Sequence, residues 1–258
     1  MAYSFNAEEV ANNLIAWVKD WFEQNGPTAN AVIGMSGGKD STVAAAVLCR
    51  AIGAERVIGV SMPDGKQGLN DAPEICKFLG MKMLAVNIGE ATAAINKVIE
   101  TDTGISLSKQ SAQNIPPRVR MTTLYAIAQT VNGRVVNTCN ASEDYIGYST
   151  KYGDAAGDFS LFAHLTVTEV LAIGDFLGVP YQWVHKTPDD GLPHSSPDEV
   201  KLGFTYAELD RYILEGTVPE GFVHDNEEEG LKVTKIDNLH KWNLHKIKLM
   251  PAFEVQKN

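Results

Sequence analysis

Apolar residues recur at three- and four-residue steps through residues 7–24: Val10, Leu14, Val18 and Trp21 or Phe22, with charges between them. That spacing predicts an amphipathic helix, with Asn6 as its N-cap and Gly26-Pro27 as its stop. The period then changes. Residues 31–35 are a short apolar run that reads as a strand, followed by a Ser/Gly turn and an apolar helix over 41–52 closed by Gly53. The cycle repeats with a strand at 56–62, a break at Pro63-Asp64-Gly65 and a helix near 70–79. A strand at 83–88 and a helix near 90–100 come next. Pro116-Pro117 then opens a longer helix running toward Gly133, since proline suits a first helical turn. A strand at 134–138 closes the series.

Strands alternating with helices imply right-handed βαβ crossovers and a parallel sheet. The strands are short, rich in Val, Ile and Met, and do not alternate, as expected of strands covered on both faces. The fold class is therefore α/β: a doubly wound, mostly parallel sheet flanked by helices. We read residues 1–258 as one domain, with the core sheet over about 28–140 and substrate loops and C-terminal helices over about 141–258. Within the latter part, 142–158 and 187–199 read as loops, and helices are expected near 166–177, 205–215 and 226–246. Thr166 and Glu169 have capping-box spacing. The charge run Asp225–Glu229 suits either the start of the last helix or a solvated acidic face.

Composition narrows the classes. The 258 residues carry 22 Lys+Arg against 32 Asp+Glu, a net charge of −10, which disfavours a general nucleic-acid binder. The three cysteines, Cys49, Cys76 and Cys139, form no C-x-x-C pair, so a disulfide framework or a four-Cys zinc site is excluded. A reducing compartment is expected, and with no signal-like N-terminus or membrane-length apolar run, a cytoplasmic protein.

The strongest local signal is Gly34-Met35-Ser36-Gly37-Gly38-Lys39-Asp40-Ser41-Thr42, between an apolar strand and a helix. Glycines allow close backbone approach, and the helix N-terminus offers N–H groups and partial positive charge to an anion. It is not a Walker A loop: three residues separate Gly34 from Gly38, and Asp40 stands where that motif has a hydroxyl. The Ser-Gly-Gly-x-Asp-Ser pattern resembles the pyrophosphate loop of the adenine-nucleotide α-hydrolase-like ATPases. A carboxylate at Asp40 beside phosphate requires a cation between them.

Four further clusters accompany it: Asn137-Thr138-Cys139-Asn140-Ala141-Ser142-Glu143, Gly147-Tyr148-Ser149-Thr150-Lys151-Tyr152-Gly153-Asp154, Pro117-Arg118-Val119-Arg120-Met121 and Leu202-Gly203-Phe204-Thr205-Tyr206. Together these resemble the NAD synthetase family, over about residues 5–250. The resemblance implies ATP-dependent amidation of deamido-NAD+ through an acyl-adenylate. It assigns ATP to Ser36, Gly37, Gly38, Lys39, Asp40, Ser41, Gln67 and Thr138, with Lys186 as an added cation, and Mg²⁺ to Asp40 and Glu143. It assigns deamido-NAD+ to Arg118, Lys151, Asp158, His245 and Lys246. Asp40 and Asp158 are the catalytic candidates; the sequence does not identify the base that deprotonates ammonium, for which Asp158 is a candidate.

Some positions depart from the family pattern. Asn137 replaces a glycine, Val167 an ATP-contacting lysine of some members, Ser61 an arginine, and Asp189 a hydroxyl residue. Glutamine-dependent members carry a hydrolase domain for which there is no room before Ser36, so free ammonia is the expected nitrogen donor. Family members are homodimers, and the helices at 7–24 and 226–246 are candidates for that contact. The alternatives are another pyrophosphate-loop adenylating enzyme, a tRNA thiolase or GMP synthetase-like protein, or a diverged nucleotide-binding sensor.

Overall fold

The computed structural model describes residues 3–186, 198–216, 227–248 and 250–253, without the side chains of 227–231. The order is α1 (Ala7–Asn25), β1 (Asn30–Gly34), α2 (Lys39–Ile52), β2 (Val57–Ser61), α3 (Ala72–Leu79), β3 (Lys82–Ala85), α4 (Gly89–Thr103), α5 (Lys109–Gln113) and α6 (Ile115–Thr130). It continues with β4 (Gly133–Asn140), α7 (Ala141–Ile146), β5 (Phe159–Phe162), α8 (Val167–Phe176), α9 (Tyr181–Val184), α10 (Asp198–Leu202), α11 (Tyr206–Glu215) and α12 (Glu227–Ile247).

The five strands form one sheet in the order β3-β2-β1-β4-β5, and every pairing is parallel. Successive residues of β1 face opposite sides. Ala31 and Ile33 join the core beneath α1, α2 and α8, whereas Val32 joins the one beneath α4 and α6. All three are fully buried, each larger side chain contributing about 1.5–3 kcal/mol. The chain winds outward from β1 to β3, then returns to place β4 on the other side of β1. Such a reversal opens a crevice at the C-terminal ends of β1 and β4, where doubly wound sheets bind ligands.

Several expectations are corrected. The series does not close at 138: β4 runs on to Asn140, and a fifth strand pairs with it, Val136 beside Phe159. The stretch 142–158 is not a plain loop, because Asn140 caps α7 there, its side chain accepting from Glu143 N–H while Glu143 reaches back to Asn140 N–H. Strand β3 ends at Ala85, not 88, and as an edge strand it is only partly covered. Helix α5 was not expected at all; its Ser108 cap sits in a polar segment with no apolar period. Asn6, Gly53 and the Thr166–Glu169 box cap their helices as expected. Residues 187–197 of the expected 187–199 loop, Asp189 among them, lie outside the described residues, as do Asp225 and Asn226 of the charge run. The apolar stripe of α1 is spent within the fold, where Val18 and Phe22 are buried against the α2 side of the sheet.

Cys49, Cys76 and Cys139 are free thiols. Among the described residues no helix is long and apolar enough to cross a membrane.

Candidate active site

The phosphate loop joins β1 to α2 at the crevice. Gly37 has φ +78°, a left-handed conformation in which a side chain is strained, and a Cβ there would lie 3.0 Å from Asp71 N. Gly38 is the N-cap of α2 and has no side-chain cap of its own. Asn70 Nδ2 donates to Ser36 O (3.2 Å), fixing the loop against the start of α3. Ser36 Oγ and Ser41 Oγ lie 3.2 Å apart at the loop mouth. Helix α2 is fourteen residues long, so its N-terminal N–H groups carry the full helix dipole toward this mouth.

Asp40 and Glu143 come from different elements and meet through Asn140. The Asn140 carboxamide donates from Nδ2 to Asp40 Oδ1 at 3.1 Å, while its oxygen accepts from Glu143 N–H at 3.0 Å. Asn140 is fully buried, so both orientations of its amide group are committed. Burial, followed by the charge of Asp40, pushes Glu143 up to about 8. Lys39 Nζ is 3.0 Å from Asp40 Oδ2 and almost fully buried. Burial pulls that ammonium down, and Asp40 and Glu143 more than restore it. Among the described residues no three His, Cys, Asp or Glu side chains converge as a metal-holding group, and the acidic side chains at the loop mouth are Asp40 and Glu143. Two carboxylates that repel each other fit Mg²⁺, which takes one or two from protein and the rest from phosphate and water.

A cavity of about 370 Å³ lies beside the loop, lined in part by Ser36, Ser41, Gln67, Thr138, Asp154 and Arg120. Gln67 Oε1 accepts from Asp64 N–H (2.9 Å) and from Arg120 Nη2 (3.4 Å), and Arg120 Nε donates to Met62 O (3.0 Å). Burial lowers the Arg120 guanidinium, with Asp64 and Asp154 opposing. Arg120 was absent from the sequence-based site, although it lies in the Arg118-Val119-Arg120 string that marked the helix. At i and i+2 the two arginines diverge around α6, and only Arg120 enters the cavity. Lys186 lies on the α3 side of the loop with its ammonium held by Asp71 at 2.6 Å.

The expected dinucleotide contacts form a second group. Arg118 Nε donates to Lys151 O (3.2 Å), Lys151 Nζ to His245 O (2.8 Å), and Lys246 Nζ to Gly147 O (2.7 Å). Asp158 is not brought to either carboxylate. It precedes β5, accepts from Val135 N–H at 2.7 Å, and so lies five residues of strand below Asn140, roughly 16 Å at ~3.3 Å per residue.

Two departures acquire reasons. Asn137 donates to Asp154 O (2.8 Å) and Ala156 O (3.2 Å) and accepts from Cys139 N–H (3.0 Å) and Ser160 Oγ (3.1 Å), so its side chain splices β4 to the 150s loop and β5. Val167 is buried at the first turn of α8 and its N–H donates to Ser142 Oγ (3.0 Å); a lysine there would bury an amine in an apolar cluster. For Ser61, buried at the end of β2, the structure offers no further account.

The family model described as NAD synthase matches residues 10–250. A protein of Methanoregula boonei called NH(3)-dependent NAD(+) synthetase is 40% identical over 189 residues, 72% of this chain and 75% of that one. The solved structure of an NMN synthetase from Francisella tularensis superposes with a TM-score of 0.84 at 29% identity, covering 98% of this chain and all of that one. The crystal structure of NAD+ synthetase from Burkholderia pseudomallei superposes with a TM-score of 0.71 at 28% identity, covering 93% and 91%.

Proposed function

The chain belongs to the NAD synthase family, and from that premise we propose how its residues divide the work of amidating deamido-NAD+. The protein is a ligase: ATP activates the nicotinate carboxylate, and ammonia converts it to the amide of NAD+. The carboxylate attacks the α-phosphorus, the bond to the β-phosphate oxygen breaks, and pyrophosphate leaves. Ammonia then attacks the acyl-adenylate carbonyl, its nitrogen gives up one proton to solvent, and AMP leaves with the electron pair of the acyl–oxygen bond.

The adenosine occupies the cavity beside Gln67 and Thr138, with Arg120 holding the Gln67 segment in place. Ser36, Ser41 and the N–H groups of 37–41 receive the leaving pyrophosphate, the end of the molecule where charge accumulates. Lys39, locked against Asp40, sets the electrostatics of the loop instead of reaching out to phosphate. Asp40 and Glu143 would hold Mg²⁺, which when bound neutralises phosphate charge. Arg118 and Lys151, backed by His245 and Lys246, receive the anionic dinucleotide together with Asp158. The chain acts as a single domain in the cytoplasm and as a homodimer. The outer face of α12 supports the dimer, since Trp242 is exposed there beside Leu239, while α1 leaves Trp17 partly exposed.

The observation that carries this reading is the Asp40–Asn140–Glu143 linkage at the mouth of the phosphate loop. Purified protein given ATP, Mg²⁺, ammonium and deamido-NAD+ is expected to form NAD+ and AMP in equal amounts. Nucleotide binding without pyrophosphate release would replace the ligase with a sensor.

A second reading concerns the acid. At nearly equal identity, the NMN synthetase neighbour superposes better than the NAD+ synthetase one, 0.84 against 0.71. It would make the acceptor the acid form of NMN, the mononucleotide. Competing the two acids at equal concentration decides between them by the ratio of kcat/KM.

A further inference from the structure

The Leu202–Tyr206 motif has no part in the scheme above. Thr205 caps α11 by accepting from Glu208 N–H (3.1 Å), and Tyr206 N–H donates to Glu199 Oε1 (2.8 Å), so the first turn of α11 is fixed on two sides. The Tyr206 ring is 4% exposed and packs with Ile146, Leu209 and Ile236. Lys39 Nζ sits over it, 5.4 Å from the ring centre. Its hydroxyl is buried and has no hydrogen-bond partner among the described residues. Burial raises that phenol most, and the charges of Glu143 and Asp198, with Tyr148 and Asp40 after them, add to the rise. A phenylalanine would fill the same apolar space without stranding a hydroxyl.

We propose that Tyr206 is a binding residue of this site, its hydroxyl donating a hydrogen bond to an oxygen that arrives with Mg-ATP. Two sources share that chemistry: a phosphate oxygen, or water in the shell of the cation. The inference rests on the ATP reading of the loop. It adds Tyr206 of α11 to the site beside Lys39, whose ammonium lies over its ring.

The test is Tyr206→Phe, with binding read by calorimetry and melting temperature read without ligand. The expected result is an unchanged or higher ligand-free melting temperature, with affinity for Mg-ATP reduced about 10-fold. Weakening reproduced with Mg²⁺ alone assigns the hydroxyl to the cation shell. Weakening reproduced with inorganic pyrophosphate alone assigns it to phosphate. Equal Mg-ATP affinity in variant and wild type overturns the proposal, whichever way stability moves. Failure of the wild type itself to bind Mg-ATP overturns both the proposal and the reading of the loop beneath it.

Discussion

Asn140 Nδ2 lies 3.1 Å from Asp40 Oδ1, joining the residue that ends β4 to the first turn of the helix after β1. The contact spans one hundred residues of sequence and positions two carboxylates with a single amide group. Asn140→Ala removes both the α7 cap and the hold on Asp40. We expect a loss of about 1 kcal/mol in stability and roughly 10- to 100-fold in pyrophosphate release. Asn140→Asp should recover the cap but not the turnover, because it adds a third negative charge beside the other two. Thermal melts and a pyrophosphate assay on both variants separate the two effects.

Asp40→Asn should keep the fold and reduce adenylation by two orders of magnitude or more, on the order of 3 kcal/mol. The amide still accepts from Asn140, but it no longer neutralises buried Lys39 or binds a cation. Normal turnover in this variant would remove the cation from the mechanism.

Glu143 gives a pH test of stability in the ligand-free protein. Its carboxyl sits at about 8 in the folded chain against 4.5 unfolded, so between these values the folded state holds the extra proton. Stability attributable to this group is therefore present below about pH 4.5 and falls as pH rises toward 8. Glu143→Gln removes that decline. Its melting temperature should exceed that of the wild type by at least about 2–4 °C at pH 8.5, with the gain shrinking toward pH 5. Adenylation should be lost in the same variant. A gain independent of pH would show that the carboxyl is ionised throughout.

Gly37→Ala forces a side chain into a backbone with φ +78° and against Asp71 N. The expected cost is about 1–2 kcal/mol, with weaker ATP binding because the loop must reopen. Titration with ATP and a melt on the same sample measure both.

Arg118 and Arg120 should dissociate kinetically. Arg118→Ala should raise KM for the acid substrate about 10-fold and leave KM for ATP unchanged, and Arg120→Ala should do the reverse. Each value is read with the other substrate saturating.

Local patterns located most of this fold. The phosphate loop, the flanking strands and the N-caps at Asn6 and Thr166 are signalled within windows of ten residues, where sterics and hydrogen bonding act over short range. What was missed depends on contacts distant in sequence. Strand β5 is four residues long and becomes a strand by pairing with β4. Helix α7 is six residues long and is held by its capping box and by α12 above it, not by a period of its own. Arg120 and Tyr206 stood in quoted motifs, but nothing in the linear string tells which of two arginines turns inward, or that a phenol is left without a partner among the described residues. The surroundings of Asp158 were equally illegible: its carboxylate accepts from Val135 N–H, which only the sheet brings to it.

Helix α12 is seated on Gly147, where an added Cβ would meet Asn243 Cβ at 2.0 Å, and His240 stacks on Tyr145 at 4.0 Å. The short helix that carries Glu143 is thus clamped by residues about a hundred positions later. On the ribosome, the nucleotide loop emerges long before the residues that secure its acidic counterpart. Catalytic competence therefore arrives late, after residues 240–246 have been synthesised.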